Sequence, residues 1–534
     1  MSVKTYSAFN TKRTPQNQPI PGSKMVPNSA GGYGYKVGPF EQLDRFLILG
    51  TEGGSYYASE QALTKENASV VIDCINKDGL RTVNRIVEIS KAGRAPKNDP
   101  AIFALAIAIS LGNEETRKAA REAVPSVCRI GTHIMHFAKF ATQFRGWGRG
   151  LKTAVGSWFT EQDAEKLAYQ AVKYQARDGW SQKDLLILSH PTPRTQTQGD
   201  VFDWIVGREN EARGNNALDI PVIQGYSLAQ SAISAEEVAN IVRDYNLPHE
   251  ALPTQYKWSN EVANALVEKG MPVEALVRNL GNLTRADVFK NLALRSKVVE
   301  LLNNEEAIRK SRIHPVKLLA ALLTYSGGRG IRGTNSWDVV PQIVDALDSA
   351  FYLAFQNVEK TDKRIMIGLD TSSSMTGGVI AGVPGLTPRL GSAAMAAVTM
   401  ASAPNYMAVG FTTVVSPCAI SPKQRLDDIV RTIQRHPNGG TNCALPIEYA
   451  IKNMLAVDAF VIYTDSETWA GTQHVSQAIK VYRKVSGIDA KLVVVGMVAN
   501  STTISDPDDL NCLDVVGFDT SAPQLIQDFI TGGF

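Results

Sequence analysis

RIMIGLDTSSSM, residues 364–375, decides the fold of the C-terminal third of the chain. An apolar run of this length, closed by an Asp and followed by hydroxyls, reads as a buried strand feeding a polar loop. Outward from it lie further strand candidates: YMAVGFT (406–412), VDAFVIYTD (457–465) and KLVVVGMV (491–498). Between them run amphipathic helical patterns, GSAAMAAVTMASA (391–403), QRLDDIVRTIQR (424–435) and TQHVSQAIKVYRK (472–484). Near-continuous apolar strands alternating with helices imply a parallel sheet covered on both faces, so residues 361–534 are expected to form a doubly wound α/β domain.

In such a domain ligands bind beyond the carboxyl ends of the strands, near the point where strand order reverses. Asp370 ends one strand and opens Asp-x-Ser-x-Ser with Ser372 and Ser374, while Asp465 ends another and Gly439-Gly440-Thr441 brings a further hydroxyl to a loop between them. Carboxylates and hydroxyls without His or Cys are hard oxygen donors, suited to Mg²⁺ or Mn²⁺ rather than zinc. A hydroxyl run after a strand also serves as a helix cap. The matching Thr441 and the second Asp favour the cation. Use of Asp370 as a phosphotransfer nucleophile would need a cation to hold the phosphate, and no Lys or Arg adjoins either strand end in the sequence. A metal-dependent hydrolase would need a general base, for which Glu467 is the nearest candidate.

Upstream the texture differs. Residues 1–37, rich in Pro, Gly, Asn and Ser, are expected to be an extended arm. Over residues 38–360 short stretches of helical periodicity follow one another, among them AIFALAIAIS, AEEVANIVRDY and NEVANALVEKG. Such a succession reads as an irregular helical-repeat solenoid of the HEAT type, which periodicity alone allows to be an arc or a ring. The five cysteines, scattered and without a CxxC pair, are expected to be reduced, mostly buried thiols. No apolar run suggests a membrane span and no secretory signal pattern opens the sequence, so a cytoplasmic protein is expected.

The chain carries a formal net charge of only +3, but residues 117–194 hold thirteen basic against six acidic side chains, a local excess of seven. Trp147, Trp158, Tyr174 and Trp180 interleave with them, a mixture suited to phosphate contact and base stacking. Lys173 and Arg177 are expected on one face of a helix over AEKLAYQAVKYQAR that Gly179 ends. Ser181 and Asp184 form a capping-box pattern opening QKDLLILSH, with Pro191 closing that helix and His190 at its C-terminal end. Each of these residues singly also suits an ordinary solvated charge or helix cap, and the local excess of charge favours the RNA reading. The pair His133 and His136 lacks a nearby carboxylate or Cys for a metal, so a structural or RNA-contacting role is expected.

DTSSSM, GGTNCALP and VIYTDSETWAG resemble the metal-ion-dependent adhesion site of von Willebrand factor A domains, and in particular the version in the Ro autoantigen and its bacterial counterparts. All five motif positions match, which implies Asp370, Ser372, Ser374, Thr441 and Asp465 as metal ligands. CRIGTHIMHF, KYQARDGWSQKDLLILSH, RIHPVKLLAALLTY and DRFLILGTEGGSYY resemble the TROVE module of the same proteins. The resemblance implies a noncatalytic ring of helical repeats. Small structured Y-like RNA would bind its outer surface, single-stranded ends of misfolded or precursor RNA would enter its hole, and the complex would serve small-RNA stability, quality control or maturation. It implies Lys173, Arg177 and His190 as RNA contacts, with Arg129, His133, Arg145, Arg149 and Lys152 as further candidates. An exoribonuclease tethered through the RNA and an acidic protein ligand at the metal are the other implied partners. PTPRTQTQGDVFDWIVG (191–207) departs from the family pattern, so no contact is assigned there. The alternative is a metal-dependent protein-interaction module without specific RNA binding.

Overall fold

The computed structural model describes residues 13–49, 60–208, 217–330, 334–355, 360–377, 380 and 386–532. Residues 1–12 of the expected arm, and residues 356–359 before the expected start of the sheet domain, lie outside the described residues. From Pro39–Leu49 to Pro341–Leu353 the described chain is almost entirely helical. Side-chain caps start many of these helices: Asn113 accepts from the Thr116 amide, Asp163 from Lys166, Ser234 from Glu237 and Ser259 from Val262. Each satisfies an amide that the helix itself leaves free. AIFALAIAIS forms most of the helix Asp99–Leu111, which is buried nearly all round. That follows from its lack of a polar face, since only a helix enclosed by neighbours can hide apolar residues on every side.

The succession of helices returns on itself. His314, 3% exposed, takes the Val316 amide on Nδ1 at 3.1 Å, which leaves Nε2–H to donate to the Arg94 carbonyl at 3.1 Å. Beside it Arg312 reaches the Lys91 carbonyl, so the loop before the helix Pro315–Ser326 meets the end of the helix Glu60–Ala92. His133 lies near Lys317, and Tyr174 near Glu274 and Arg278. Side chains remote in sequence therefore face a common space, and the solenoid is a ring.

Two short pairs precede the main sheet. Met25–Pro27 (β1) and Tyr33–Lys36 (β2) are antiparallel, as are Ala176–Arg177 (β3) and Trp180–Ser181 (β4). The main strands are Ile365–Asp370 (β5), Tyr406–Phe411 (β6), Val415–Pro417 (β7), Ala459–Thr464 (β8), Lys491–Gly496 (β9) and Cys512–Val516 (β11), in the order β11-β9-β8-β5-β6-β7. All pair in parallel except the edge strand β7. Alternate residues serve opposite faces: Ile365, Ile367 and Leu369 join the core that continues into the ring, whereas Met366, Phe460 and Ile462 pack with the helices Leu445–Lys452 and Val475–Ser486. Thr502–Thr503 (β10) pairs with β2, so residues 25–36 add a small sheet to the C-terminal domain.

This domain grips both ends of the ring. Arg94 sends Nη2 to Asp519 at 2.6 Å, and Arg45, 2% exposed, is bound to Asp514 and to the carbonyls of Asn500 and Thr502. At the other end Asp348 accepts the Leu426 amide at 2.7 Å and Arg425 reaches Asp345 at 3.0 Å.

Burial holds the His314 imidazole down to about 4. The unfolded chain takes up this proton near pH 6.5 and the folded chain only near 4, so stability is unaffected above 6.5 and falls as the pH drops between them. His314→Gln should remove a loss of about 3 kcal/mol between pH 6.5 and 4. Urea unfolding of both proteins across that range checks it; parallel pH profiles would contradict it.

Candidate functional site

β5 and β8 are neighbours, and the chain runs outward from β5 through β6 and β7 before crossing back to β8, so their carboxyl ends flank the switch point. Asp370, fully buried at the end of β5, accepts the Ser372 amide on Oδ1 at 2.9 Å and the Thr464 hydroxyl on Oδ2 at 2.6 Å. The Ser372 and Ser374 hydroxyls stand 3.0 Å apart. Asp465 follows β8 and accepts the Glu467 amide on Oδ1 at 3.0 Å. Its Oδ2 and the Thr441 hydroxyl are buried without a hydrogen-bond partner. Burial, and then the facing Asp465, push the Asp370 carboxyl up to about 7, and burial raises Asp465 as well.

Two sequestered carboxylates and two unpartnered oxygens are costly in a protein interior, and a hard cation would satisfy all of them. The residues therefore fit a divalent metal. Among the described residues no three His, Cys, Asp or Glu side chains converge as a metal cluster, so the charge here would come from two carboxylates and the remaining donors from hydroxyls.

Glu467 is not free to act as a base. It is 1% exposed, taking the Ala30 amide on Oε2 at 3.0 Å and the Asn500 amide nitrogen on Oε1 at 2.9 Å. Its carboxylate anchors the N-terminal segment, which straps the loop that follows β8. Gln16, 0% exposed, donates to Asn442 at 2.6 Å and to the Gln473 carbonyl at 2.8 Å, and accepts from the Thr468 hydroxyl. Asn28 donates to the Thr468 carbonyl at 2.7 Å, and Gly32 passes so near this carbonyl that a Cβ would stand 1.9 Å from it. Asn442 adjoins Thr441, so the strap holds two of the ligand-bearing loops together. Sequence reasoning also missed Arg389, a buried guanidinium near Asp370 that is bound to Asn438 and to the Ile433 and His436 carbonyls.

The basic segment divides. The helix Ala164–Lys173 ends at Lys173, so Arg177 does not continue its face. Asp178 and Gly179, at φ 55° and 81°, form instead the tight turn of the β3–β4 hairpin, with Arg177 exposed on β3. Asp-Gly at positive φ suits a two-residue hairpin, and RDGW carried that signal. Ser181 and Asp184 make the expected capping box, and His190 caps the helix Gln182–Ser189 in the left-handed region at φ 46°. Trp147 ties these parts together: it stacks on Trp180 at 5.5 Å and donates to the Leu188 carbonyl at 3.4 Å. Around it lie Arg145 and Arg149, both exposed, the hairpin with Arg177, and the helix end with His190, while Lys152 is half-buried one turn beyond Arg149.

The other candidates lie elsewhere. Lys173 stands 3.8 Å from Glu250 and over the rings of Tyr169 and Tyr174, on the wall of a cavity of about 550 Å³. Arg129 is bound to the Ser90 carbonyl at 2.6 Å and its hydroxyl at 2.7 Å, near the ring closure. His133 lies 3.4 Å from Asn98, with burial holding its imidazole down to about 3, a structural placement. His136 meets Asp178 of the hairpin.

A closed helical ring joined to a von Willebrand factor A-type domain, with an acid-and-hydroxyl constellation at the switch point, defines the class. The Ro60 vWA domain model matches residues 364–530, and the TROVE domain model matches residues 26–217 and 248–324. The chain belongs to the Ro60 family. It is 39% identical to the protein of Deinococcus radiodurans named RNA-binding protein RO60, over 98% of both chains. It is 31% identical to the Caenorhabditis elegans protein of that name, over 98% of this chain and 92% of the relative. The crystal structure of the Deinococcus radiodurans RO (RSR) protein superposes with a TM-score of 0.68 at 38% identity, covering 93% of this chain and 100% of that one.

Replacing Gln16 by Ala would remove the buried hydrogen bonds it makes with Asn442, Thr468 and the Gln473 carbonyl, and should lower stability by about 2 kcal/mol. Gln18→Ala, on an exposed side chain of the same segment, should stay within about 0.5 kcal/mol. Chemical denaturation distinguishes them; equal effects would show that the strap contributes nothing through Gln16.

Proposed function

We propose that this chain is a noncatalytic RNA-binding scaffold of a ribonucleoprotein. The observation that carries the reading is the gathering of exposed Arg145, Arg149, Arg177 and His190 around the stacked Trp147–Trp180 pair, in the stretch with the local excess of positive charge. Clustered guanidinium groups neutralise phosphates, and counterion release makes such binding strong at low salt and independent of sequence. Two relatives named RNA-binding proteins support it. The ligand of this face is a small structured Y-like RNA, recognised by shape and backbone charge. Single-stranded ends of misfolded or precursor RNA enter the ring's hole, and the assembly acts in the cytoplasm in small-RNA stability, quality control or maturation. An exoribonuclease held through the bound RNA is the partner this role calls for. Lys173, beside Glu250 on the wall of the cavity of about 550 Å³, is a further RNA contact away from this face.

The metal is Mg²⁺, with Mn²⁺ as the alternative, held by Asp370, Ser372, Ser374, Thr441 and Asp465. When bound, it offers a coordination position to an acidic group of a protein ligand. The unpartnered Thr441 and Asp465 oxygens favour, as a second reading, a metal-dependent interaction module that does not need RNA.

Arg145→Ala/Arg149→Ala/Arg177→Ala should bind a small stem-loop RNA at least about tenfold more weakly than wild type. It should also flatten the slope of log affinity against log salt by up to about 0.9 for each phosphate that is no longer neutralised. Unchanged affinity and slope would place RNA elsewhere or nowhere. Millimolar Mg²⁺ should raise the Tm of wild type but not of Asp370→Asn, because a ligand bound only to the folded state stabilises it. A Tm indifferent to Mg²⁺ and Mn²⁺ in wild type would contradict the metal assignment.

A further inference from the structure

Arg389 occupies a place that its own helix does not favour. It is the second residue of the helix Pro388–Ser402, where the free amides carry a partial positive charge and disfavour a cation. The side chain is 3% exposed, and among the described residues every group it bonds to is neutral. Burying a charge among neutral acceptors is unfavourable. Its Nε is buried without a hydrogen-bond partner, so the local structure does not even use the whole guanidinium. What the fork does hold is the segment after the helix Leu426–Gln434. Nη2 donates to the Ile433 carbonyl at 2.9 Å and to the His436 carbonyl, and Nη1 donates to Asn438 Oδ1. Those two carbonyls lie at the C-terminal end of that helix, where partial negative charge gathers and a cation is welcome.

From Asn438 the chain passes through Gly439 and Gly440 to Thr441. Two residues without a Cβ give this stretch little stiffness of its own. It is fixed from outside instead. The Ser373 amide donates to the Gly439 carbonyl at 3.1 Å, and the Thr371 hydroxyl to the Pro437 carbonyl at 3.3 Å. Trp469 closes over Gly440, where a Cβ would stand 2.5 Å from the indole, and the Thr441 carbonyl takes the amides of Trp469 at 3.1 Å and Ala470 at 3.0 Å. The Thr441 hydroxyl has no hydrogen-bond partner, so its direction depends on these ties.

We propose that Arg389 is a positioning residue for the divalent cation: its fork sets residues 436–441 so that the Thr441 hydroxyl is held ready for the metal that Asp370 and Asp465 bind. Arg389 makes no hydrogen bond to any of the five proposed ligands, so it acts through the loop alone. The inference rests on the metal assignment and adds to it a residue outside the ligand set.

The test uses the full chain stripped of metal with EDTA, with Mg²⁺ and Mn²⁺ titrated by calorimetry and the metal-free Tm measured alongside. Asn438 is exposed, so Asn438→Ala cuts one arm of the fork without opening the interior, while Asn438→Asp keeps an acceptor there. Arg389→Lys keeps the charge but cannot span three acceptors. Asn438→Ala and Arg389→Lys should each weaken both cations at least about tenfold, the usual effect of losing a group that orients a metal ligand. Asn438→Asp should bind at least as tightly as wild type. Wild-type affinity in Asn438→Ala or in Arg389→Lys, whatever the metal-free Tm, would make Arg389 a support of the fold only and overturn the proposal while the metal assignment stands. Equal loss in Asn438→Ala and Asn438→Asp would overturn it too. Should Arg389→Lys fold poorly, the two Asn438 variants decide. Failure of wild type to bind either cation would overturn both readings.

Discussion

Arg94 stands where three parts of the molecule meet. Its guanidinium is held by Asp519 of the sheet domain, and its carbonyl takes the imidazole N–H of His314 from the far end of the ring. A solenoid of helices has no intrinsic reason to close, because each repeat is satisfied by its neighbours. Here closure is imposed by polar contacts that are dry and mutually dependent, and breaking one leaves a buried charge or carbonyl without a partner. The neutral state of His314 belongs to this constraint, since a proton on Nδ1 would displace the Val316 amide.

The sheet domain thus has two roles that share elements. Asp514 on β11 holds Arg45 of the ring, and the N-terminal strap that precedes the ring returns to bind the loops carrying Thr441 and Asp465. Ring, strap and metal-type constellation form one connected body. The basic face around Trp147 is built on local contacts, a hairpin and two helix ends, and closure fixes where it lies relative to the hole.

Much of the sheet domain was legible because strand burial leaves a direct imprint: β5, which ends in Asp370, and β8, which Asp465 follows, are buried at every position. β7 and β11 escaped because they are short edge strands with polar positions, Asp514 among them. The capping box at Ser181 was readable since it spans one turn, while helical spacing wrongly carried Arg177 onto the preceding helix. Asp178-Gly179 overrides that spacing by adopting positive φ in a turn. What sequence could not show were pairings between remote residues, such as Gln16 with Asn442, Glu467 with Ala30 and His314 with Arg94. Periodicity reports which face of an element is buried, not what covers it.

If the chain works as an RNA scaffold, RNA lies on the ring face organised by Trp147 and not on the sheet domain. The sharpest test is photo-crosslinking of a 4-thiouridine-substituted stem-loop RNA to the full chain, with the crosslinked peptides mapped by mass spectrometry. Crosslinks should concentrate in residues 145–152 and 176–190. Crosslinks confined to residues 364–530, or spread evenly over the surface, would contradict that placement.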